Sequence, residues 1–261
     1  MSCALSRGVV DRQRVCVSIG DSQSRMSEQI VGRVVGLWRY PVKSMGGEVL
    51  REVDVGWQGL AGDRRWAFVR SGVERSGFPW LTIRERSDMS HYLPSFVDPD
   101  RPDRSRVLVK TPSGEELDIV DQALAAELGT GAHVIKQDRG VFDVMPLTLL
   151  TTQTIAGLEA LVERSLDPQR FRPNLLVEAT ETAPFPEDEW VGRELSVGEL
   201  ELRVDQRDER CAIVTIDPAT TAKDPAILRA LARERDSCLG VYGSIVRPGR
   251  VAVGDLVRLD D

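Results

Sequence analysis

The apolar residues of this chain fall in short runs of strand length, closely spaced and broken by Gly, Pro, Ser and Asp. That pattern limits the fold more than any other feature. Val31 to Tyr40 (VGRVVGLWRY) is rich in β-branched and aromatic residues, and Glu48 to Val55 continues it with Val49, Val53 and Val55 on one face. Arg65 to Arg70 and Arg106 to Lys110 read as further strands. Glu199 to Asp205 is the cleanest, with Leu200, Leu202 and Val204 facing one way and Glu199, Glu201, Arg203 and Asp205 the other. Arg250 to Leu259 supplies another, bent at Gly254-Asp255. Helical spacing is clear in three places. Asp121 to Leu128 sets Leu124 and Leu128 one turn apart behind a capping Asp, Thr152 to Ser165 aligns Ile155, Leu158 and Val162, and Asp224 to Arg233 opens Asp-Pro before Ile227, Leu228 and Leu231. Many short strands with few helices predict a mainly β protein with some helix (α+β), built on barrels and not on a doubly wound sheet.

The chain has 261 residues, 41% of them hydrophobic, enough for one large domain or two modest ones with a real core. It contains no apolar run long enough to span a bilayer, so no membrane partner is expected. The formal net charge of -7 argues against a nucleic-acid partner, although a few well-placed Arg can still form a local anion site. Four cysteines, Cys3, Cys16, Cys211 and Cys238, form no C-x-x-C pair, and only His91 and His133 are available beside them. A disulfide framework or a structural zinc site is therefore not expected, and the chain reads as a reduced, cytoplasmic protein. Residues 1–28 lack the apolar core of a signal peptide. They are expected to be a flexible tail or an over-extended start, with Met26 as the native beginning. Asp98 to Ser105 (DPDRPDRS) reads as a surface loop.

Four motifs carry candidate chemistry. Tyr40-Pro-Val-Lys-Ser44 follows a strand and precedes Gly46-Gly47. Lys43 and Ser44 can offer an ammonium, a hydroxyl and open backbone N–H groups to a phosphate, or can form an ordinary turn. The G-x-x-x-x-G-K frame of a P-loop is missing. In Gly62-Asp-Arg-Arg-Trp66 the Arg residues read either as part of a surface ion pair with Asp63, or as a fork on a phosphate or carboxylate that Asp63 orients. In Phe171-Arg-Pro-Asn174, Pro173 pins an extended turn, so Arg172 and Asn174 sit at the mouth of the next strand. Asn174 can bond a heterocycle edge or hold its own loop. Cys211 follows the charged turn Arg207-Asp-Glu-Arg210 and opens an apolar run to Ile216, read as a strand. Arg207 and Arg210 favour its thiolate, which suits a nucleophile or a soft metal ligand, while Asp208 and Glu209 oppose it. A lone Cys at a strand start also serves as packing.

In this order the four motifs resemble the MOSC family, named for the C-terminal domain of molybdenum-cofactor sulfurases. YPVKS and the later GDRRW look like the N-terminal β-barrel module, whereas FRPN, ERCAIVTIDP and the closing Pro248-Gly-Arg-Val-Ala-Val-Gly-Asp255 look like the MOSC domain itself. The resemblance implies an N-terminal MOSC-associated β-barrel module over 29–138 and a MOSC domain over 139–261. It is nearest to the two-module members, similar to the mitochondrial amidoxime reducing component and its bacterial relatives.

By that resemblance the protein is an oxidoreductase carrying the molybdenum cofactor (Mo-molybdopterin) and reducing N-hydroxylated small molecules. Cys211 matches the family's metal-ligating and catalytic thiolate. Lys43 and Ser44 match its phosphate-anchoring pair, Arg64 the Arg of its D-R-x-W motif, and Arg172 and Asn174 its F-R-P-N residues. The chain ends without the four clustered cysteines of a plant-type iron–sulfur centre, so electrons are expected from a separate flavin or iron–sulfur donor protein. There are departures. Asp208 and Glu209 replace the Ser-rich residues that flank the ligand Cys in amidoxime reductases, Val144-Met145 stand where small polar residues precede Pro146, and Cys238 aligns only loosely. Two other readings stay open: a carrier that uses Cys211 to accept a persulfide or hold the cofactor without turnover, and a decayed member that binds nothing.

Overall fold

A computed structural model describes residues 29–73 and 75–260; the expected tail and the candidate start at Met26 lie outside them. The first half of the chain forms strands β1 (Gln29–Arg39), β2 (Glu48–Val49), β3 (Glu52–Gly56), β4 (Gly59–Leu60), β5 (Trp66–Val69), β6 (Leu93–Phe96), β7 (Val107–Lys110) and β8 (Glu116–Asp118). Helix α1 (Gln122–Leu128) and strand β9 (His133–Lys136) complete it. The second half contains β10 (Leu147–Thr151), α2 (Thr152–Val162), β11 (Leu175–Ala179), β12 (Glu194–Val197), β13 (Leu200–Glu209), α3 (Pro225–Glu234), β14 (Cys238–Arg247), β15 (Gly249–Ala252) and β16 (Leu256–Leu259).

Seven strands close a barrel in the order β1-β11-β10-β14-β13-β12-β16, with β16 returning to β1. Alternation fills its interior: Leu200, Leu202 and Val204 of β13 are at most 1% exposed, and they meet Leu147, Leu149, Val177, Leu195 and Val257. Each such side chain contributes about 1.5–3 kcal/mol on burial. Only β10 and β11 run parallel, and the crossover that this requires is α2. Thr151 caps α2 by accepting from Thr154 N, and α2 and α3 cover the outside of the barrel around Leu150, Leu158, Phe171, Ile227 and Leu231. A third core, with Val42, Met45, Phe68, Tyr92, Val107 and Leu124, belongs to the small sheets of the first half.

The two halves are laced together. β1 comes from the first half yet is a stave of the barrel, and β15 leaves the second half to pair with β3. The division expected at 138/139 falls between β9 and β10, and β1 crosses to the far side of it.

Three local expectations are corrected. Arg207 to Arg210 is not a charged turn: β13 continues through Glu209, with β-bulges that absorb the change of register against β14. The run after Cys211 is not a strand but a 3₁₀ turn over Ala212–Thr215, in which Thr215 Oγ1 donates to Ala212 O at 2.7 Å. An apolar run this short is compatible with either state, and β13 already has a partner on each side in β12 and β14. Val49 is 73% exposed and does not share the buried face of Val53 and Val55, because the strand breaks at Leu50-Arg51.

Candidate functional site

Where β1 leaves the barrel, its sequel Tyr40 to Ser44 is zipped against Arg64 to Trp66. Arg64 N donates to Tyr40 O at 2.7 Å, Trp66 N to Pro41 O at 3.1 Å, and Lys43 N to Trp66 O at 2.8 Å. Gly62, at φ +81°, makes the turn into this pairing, and any Cβ there would stand 2.7 Å from Phe96 Cζ. On the barrel side, Asn174 N donates to Thr148 O and Trp38 N donates to Asn174 O, both at 3.0 Å, which fixes the Phe171–Asn174 turn beside the same segment.

These turns and the β13–β14 pair enclose a cavity of about 280 Å³, just below the usual range of small-molecule sites (~300–1,000 Å³). Lys43, Ser44, Arg64, Arg172 and Cys211 all line it. Arg84, Arg170 and Arg210 join them, so six cations face three lining carboxylates, Asp143, Asp208 and Glu209. A chain of net charge -7 has thus gathered local positive potential in one place.

The cation end is rigidly held. Asp63, fully buried, accepts from Tyr40 N at 2.7 Å and from Asn174 Nδ2 at 3.2 Å, and it pairs with Arg64 Nη1. The surface ion pair that GDRRW allowed is therefore an interior one. Arg64 Nη2 also donates to Arg172 O at 3.2 Å. Burial works against the Arg64 charge, but Asp63 and its hydrogen bond outweigh it and hold the guanidinium above its ordinary pKa. Arg172 lies over the Tyr40 ring at 4.1 Å and donates from Nη1 to Met45 O at 2.6 Å. Its Nη2 is buried without a partner. Burial, helped by the nearby Arg64 charge, pushes Arg172 down to about 10. Lys43 Nζ donates to Val141 O at 3.1 Å and to Asp143 Oδ1 at 2.6 Å, and burial lowers its pKa against the pull of Asp143.

Ser44, Arg64 and Arg172 all have left-handed backbones, at φ 67°, 50° and 53°, and they are three of the eight described non-glycine residues with positive φ. That conformation costs a side-chain-bearing residue roughly 1–2 kcal/mol, and its concentration here marks a site whose geometry is imposed by the surroundings.

Asn174 stands apart from the other expected residues. It is fully buried beneath the cavity, its Oδ1 accepting from Thr148 N and Oγ1 at 3.2 Å and its Nδ2 donating to Trp38 O and Asp63. It positions Asp63, and its Oδ1 also accepts directly from Arg64 Nη1 at 3.5 Å.

Cys211, also on the cavity wall, is an exposed, free thiol at the head of the 3₁₀ turn. Next to it Arg210 donates from Nε to Leu239 O and from Nη1 to Phe171 O, both at 2.8 Å. Burial raises the pKa of Asp208 although Arg210 opposes it, and burial likewise raises that of Tyr242, which is hydrogen-bonded to Asp208. Tyr242, Arg170 and Thr148 carry no motif; only their place in the fold brings them to this wall.

The profile of the MOSC N-terminal beta barrel domain matches residues 31–138 and that of the MOSC domain matches residues 137–258, so the chain belongs to the family that joins these two domains. It is 26% identical to human mitochondrial amidoxime reducing component 2, over 88% of this chain and 84% of that protein, and 25% identical to human mitochondrial amidoxime-reducing component 1 over the same shares. It is also 24% identical to the molybdenum cofactor sulfurase of Caenorhabditis briggsae, over 90% of this chain but 36% of the sulfurase. Among the described residues no helix is long and apolar enough to cross a membrane.

Proposed function

We propose that this protein binds a molybdenum cofactor (Mo-molybdopterin) in the cavity and reduces N-hydroxylated small molecules in the cytoplasm, with electrons from a separate flavin or iron–sulfur protein. The observation that carries this reading is a free thiol, Cys211, on the wall of a cavity that six cations also line. The donor set fits the group. A thiolate suits a soft, high-valent metal, and Arg172, with one unpartnered buried N–H and a charge that burial disfavours, gains from an anion such as a pterin phosphate. Lys43, Ser44, Arg64 and Arg172 would hold the phosphate end, Asn174 would keep Arg64 in place through Asp63, and Cys211 would be the metal ligand.

When bound, the metal would supply two-electron chemistry at the N–O bond, which breaks with uptake of two protons and release of water. The chain's own residues anchor the phosphate, present the thiol and wall off the reacting group. The amidoxime reducing components match this chain across most of both lengths, and their name motivates the choice of N-hydroxylated substrates.

The test is molybdenum content and pterin fluorescence of wild type and Cys211→Ala from a cofactor-producing host, followed by a panel of amidoximes and hydroxylamines with a competent electron donor. Near-stoichiometric metal that disappears in the variant, together with turnover, is expected. Wild type free of metal and pterin would defeat the reading. A second reading, supported by the same thiol and by the match to a sulfurase, is a carrier in which Cys211 accepts sulfane sulfur from a cysteine desulfurase. Persulfide on Cys211 without turnover of any substrate would select it.

A further inference from the structure

Five of the six cations that line the cavity already have partners for their side chains. Lys43 pairs with Asp143, Arg64 with Asp63, Arg170 with Asp217 and Arg210 with Asp208, while Arg172 donates to Met45 O and stacks on Tyr40. Arg84 is the exception. Its side chain makes no hydrogen bond or ion pair with any described residue, and it is exposed, so a molecule at the cavity can reach it. Its setting is nonetheless fixed. Thr82, fully buried, accepts from Arg84 N on its Oγ1 at 3.3 Å, and Thr82 O accepts from Glu85 N and Arg86 N, both at 3.0 Å, which closes a tight turn. The guanidinium lies over the Phe78 ring, 5.0 Å from its centroid, and Lys43 Nζ stands 5.6 Å from the same centroid. Glu209, the one lining carboxylate without an ion pair, is also exposed and does not pair with Arg84. A cation on a tied turn, without a counter-ion and beside a concave site, is arranged to meet an anion from outside the chain.

We propose that Arg84, backed by Phe78, forms a specificity subsite at the cavity rim that binds a carboxylate or phosphate carried by the substrate. The four residues assigned above to the cofactor phosphate, Lys43, Ser44, Arg64 and Arg172, are buried or half-buried, whereas Arg84 faces solvent and stays within reach once the cavity is filled. The Phe78 ring holds the guanidinium by its face, so less side-chain freedom is lost when an anion arrives. A neutral substrate with the same reacting group gains nothing from this cation, and the subsite therefore discriminates between the two. That the anion belongs to an N-hydroxylated substrate rests on the function proposed above; the free, supported cation does not.

The test compares two probes, 4-carboxybenzamidoxime and benzamidoxime, titrated by calorimetry into full-length protein from a cofactor-producing host. Wild type is expected to bind the carboxylated probe roughly threefold to tenfold more tightly, the scale for one accessible ion pair. Arg84→Gln should bring the ratio of the two affinities to about one, and Arg84→Lys, which keeps the charge without the fork, should retain part of the preference. Glu209→Gln reports the general field of the cavity and should shift the ratio far less than Arg84→Gln does. Where the protein turns the probes over, the same factor should appear in KM for the carboxylated one and not in kcat. The proposal is overturned if wild type fails to prefer the carboxylated probe, if the preference survives in Arg84→Gln, or if Glu209→Gln shifts the ratio as much in the opposite direction. It is also overturned if Arg84→Gln loses pterin, which would give Arg84 to the cofactor phosphate. Absence of molybdenum from the wild type would defeat the proposed function, whereas the carboxylate preference is read from binding and is judged separately.

Discussion

The two groups of residues that line the cavity are assembled in different ways. Lys43, Arg64 and Arg172 come from distant parts of the chain and are held rigidly by Asp63, Asn174, Asp143 and backbone carbonyls, with Arg172 Nη2 left without a partner. Asp208, Arg210 and Cys211 lie within one short stretch, where Arg210 and Asp208 pair with each other at 2.9 Å and the Cys211 thiol is left exposed. The first group, the cation end, is preorganised for a charge whose position is fixed. The second neutralises its own charges and presents a thiol.

This contrast can be broken experimentally, and the largest effect is expected at its rigid end. Asp63→Ala leaves Arg64 buried without its carboxylate and frees the Tyr40 N–H and Asn174 amide, so urea unfolding should report a loss of about 3–5 kcal/mol. A loss below 1 kcal/mol would mean that the cation end is not held as described. Asn174→Ala strips Thr148, Trp38 and Asp63 of a shared partner and should cost about 1–3 kcal/mol by the same measurement. Arg172→Lys keeps a cation but loses the fork and the stacking on Tyr40. Its affinity for inorganic pyrophosphate, read by calorimetry, should drop roughly tenfold with little change in stability.

The smallest effect belongs to Asp143. Burial alone would raise its pKa, but the charge and hydrogen bond of Lys43 outweigh that and hold it below the ordinary carboxylate value. The unfolded chain therefore takes up this proton at higher pH than the folded one. The pair's contribution is complete above the ordinary Asp pKa and is lost as pH falls through the lowered one. Because the Asp143 side chain is 43% exposed, Asp143→Asn should lower stability by under about 1 kcal/mol at neutral pH and by nothing in strong acid. A difference that grows on acidification would reverse the assignment.

How much of this was legible in the sequence depended on how local the cause was. Asp121, Asp224 and the Thr-rich start of α2 marked helices correctly because capping and apolar spacing act within a turn or two. The barrel followed from the density of short strands, although β10, β12 and β14 were not among the strands expected. Thr148 and Thr151 interrupt β10, β12 is only four residues long, and Gly240 and Gly243 interrupt β14, so their strand state is fixed by the strands they pair with. At the site, motif residues were readable as cation donors and a thiol. That Asn174 supports from below, that Asp63 is buried and that Tyr242 closes the far wall all depend on pairings more than twenty residues apart, for which no local pattern exists. The error at Ala212–Ile216 came from the same source: apolar composition was visible, and the lack of any free sheet edge beside it was not.

β1 has one consequence for how the molecule is made. Gln29 of that strand lies opposite Leu259 of β16, and its other neighbour, β11, begins at Leu175. During synthesis the first stave of the barrel therefore emerges well before either strand that will flank it, and the ring cannot shut until residue 259 has cleared the ribosome. Such long-range closure makes for slow folding and leaves one edge of β1 without its partner until β16 emerges. The small sheets after β1 can assemble in the meantime from pairs closer in sequence, such as β6 with β7 and β7 with β8. The half of the molecule that supplies Lys43 and Arg64 is thus positioned to take shape before the half that supplies Cys211, with the cavity appearing only when the barrel closes.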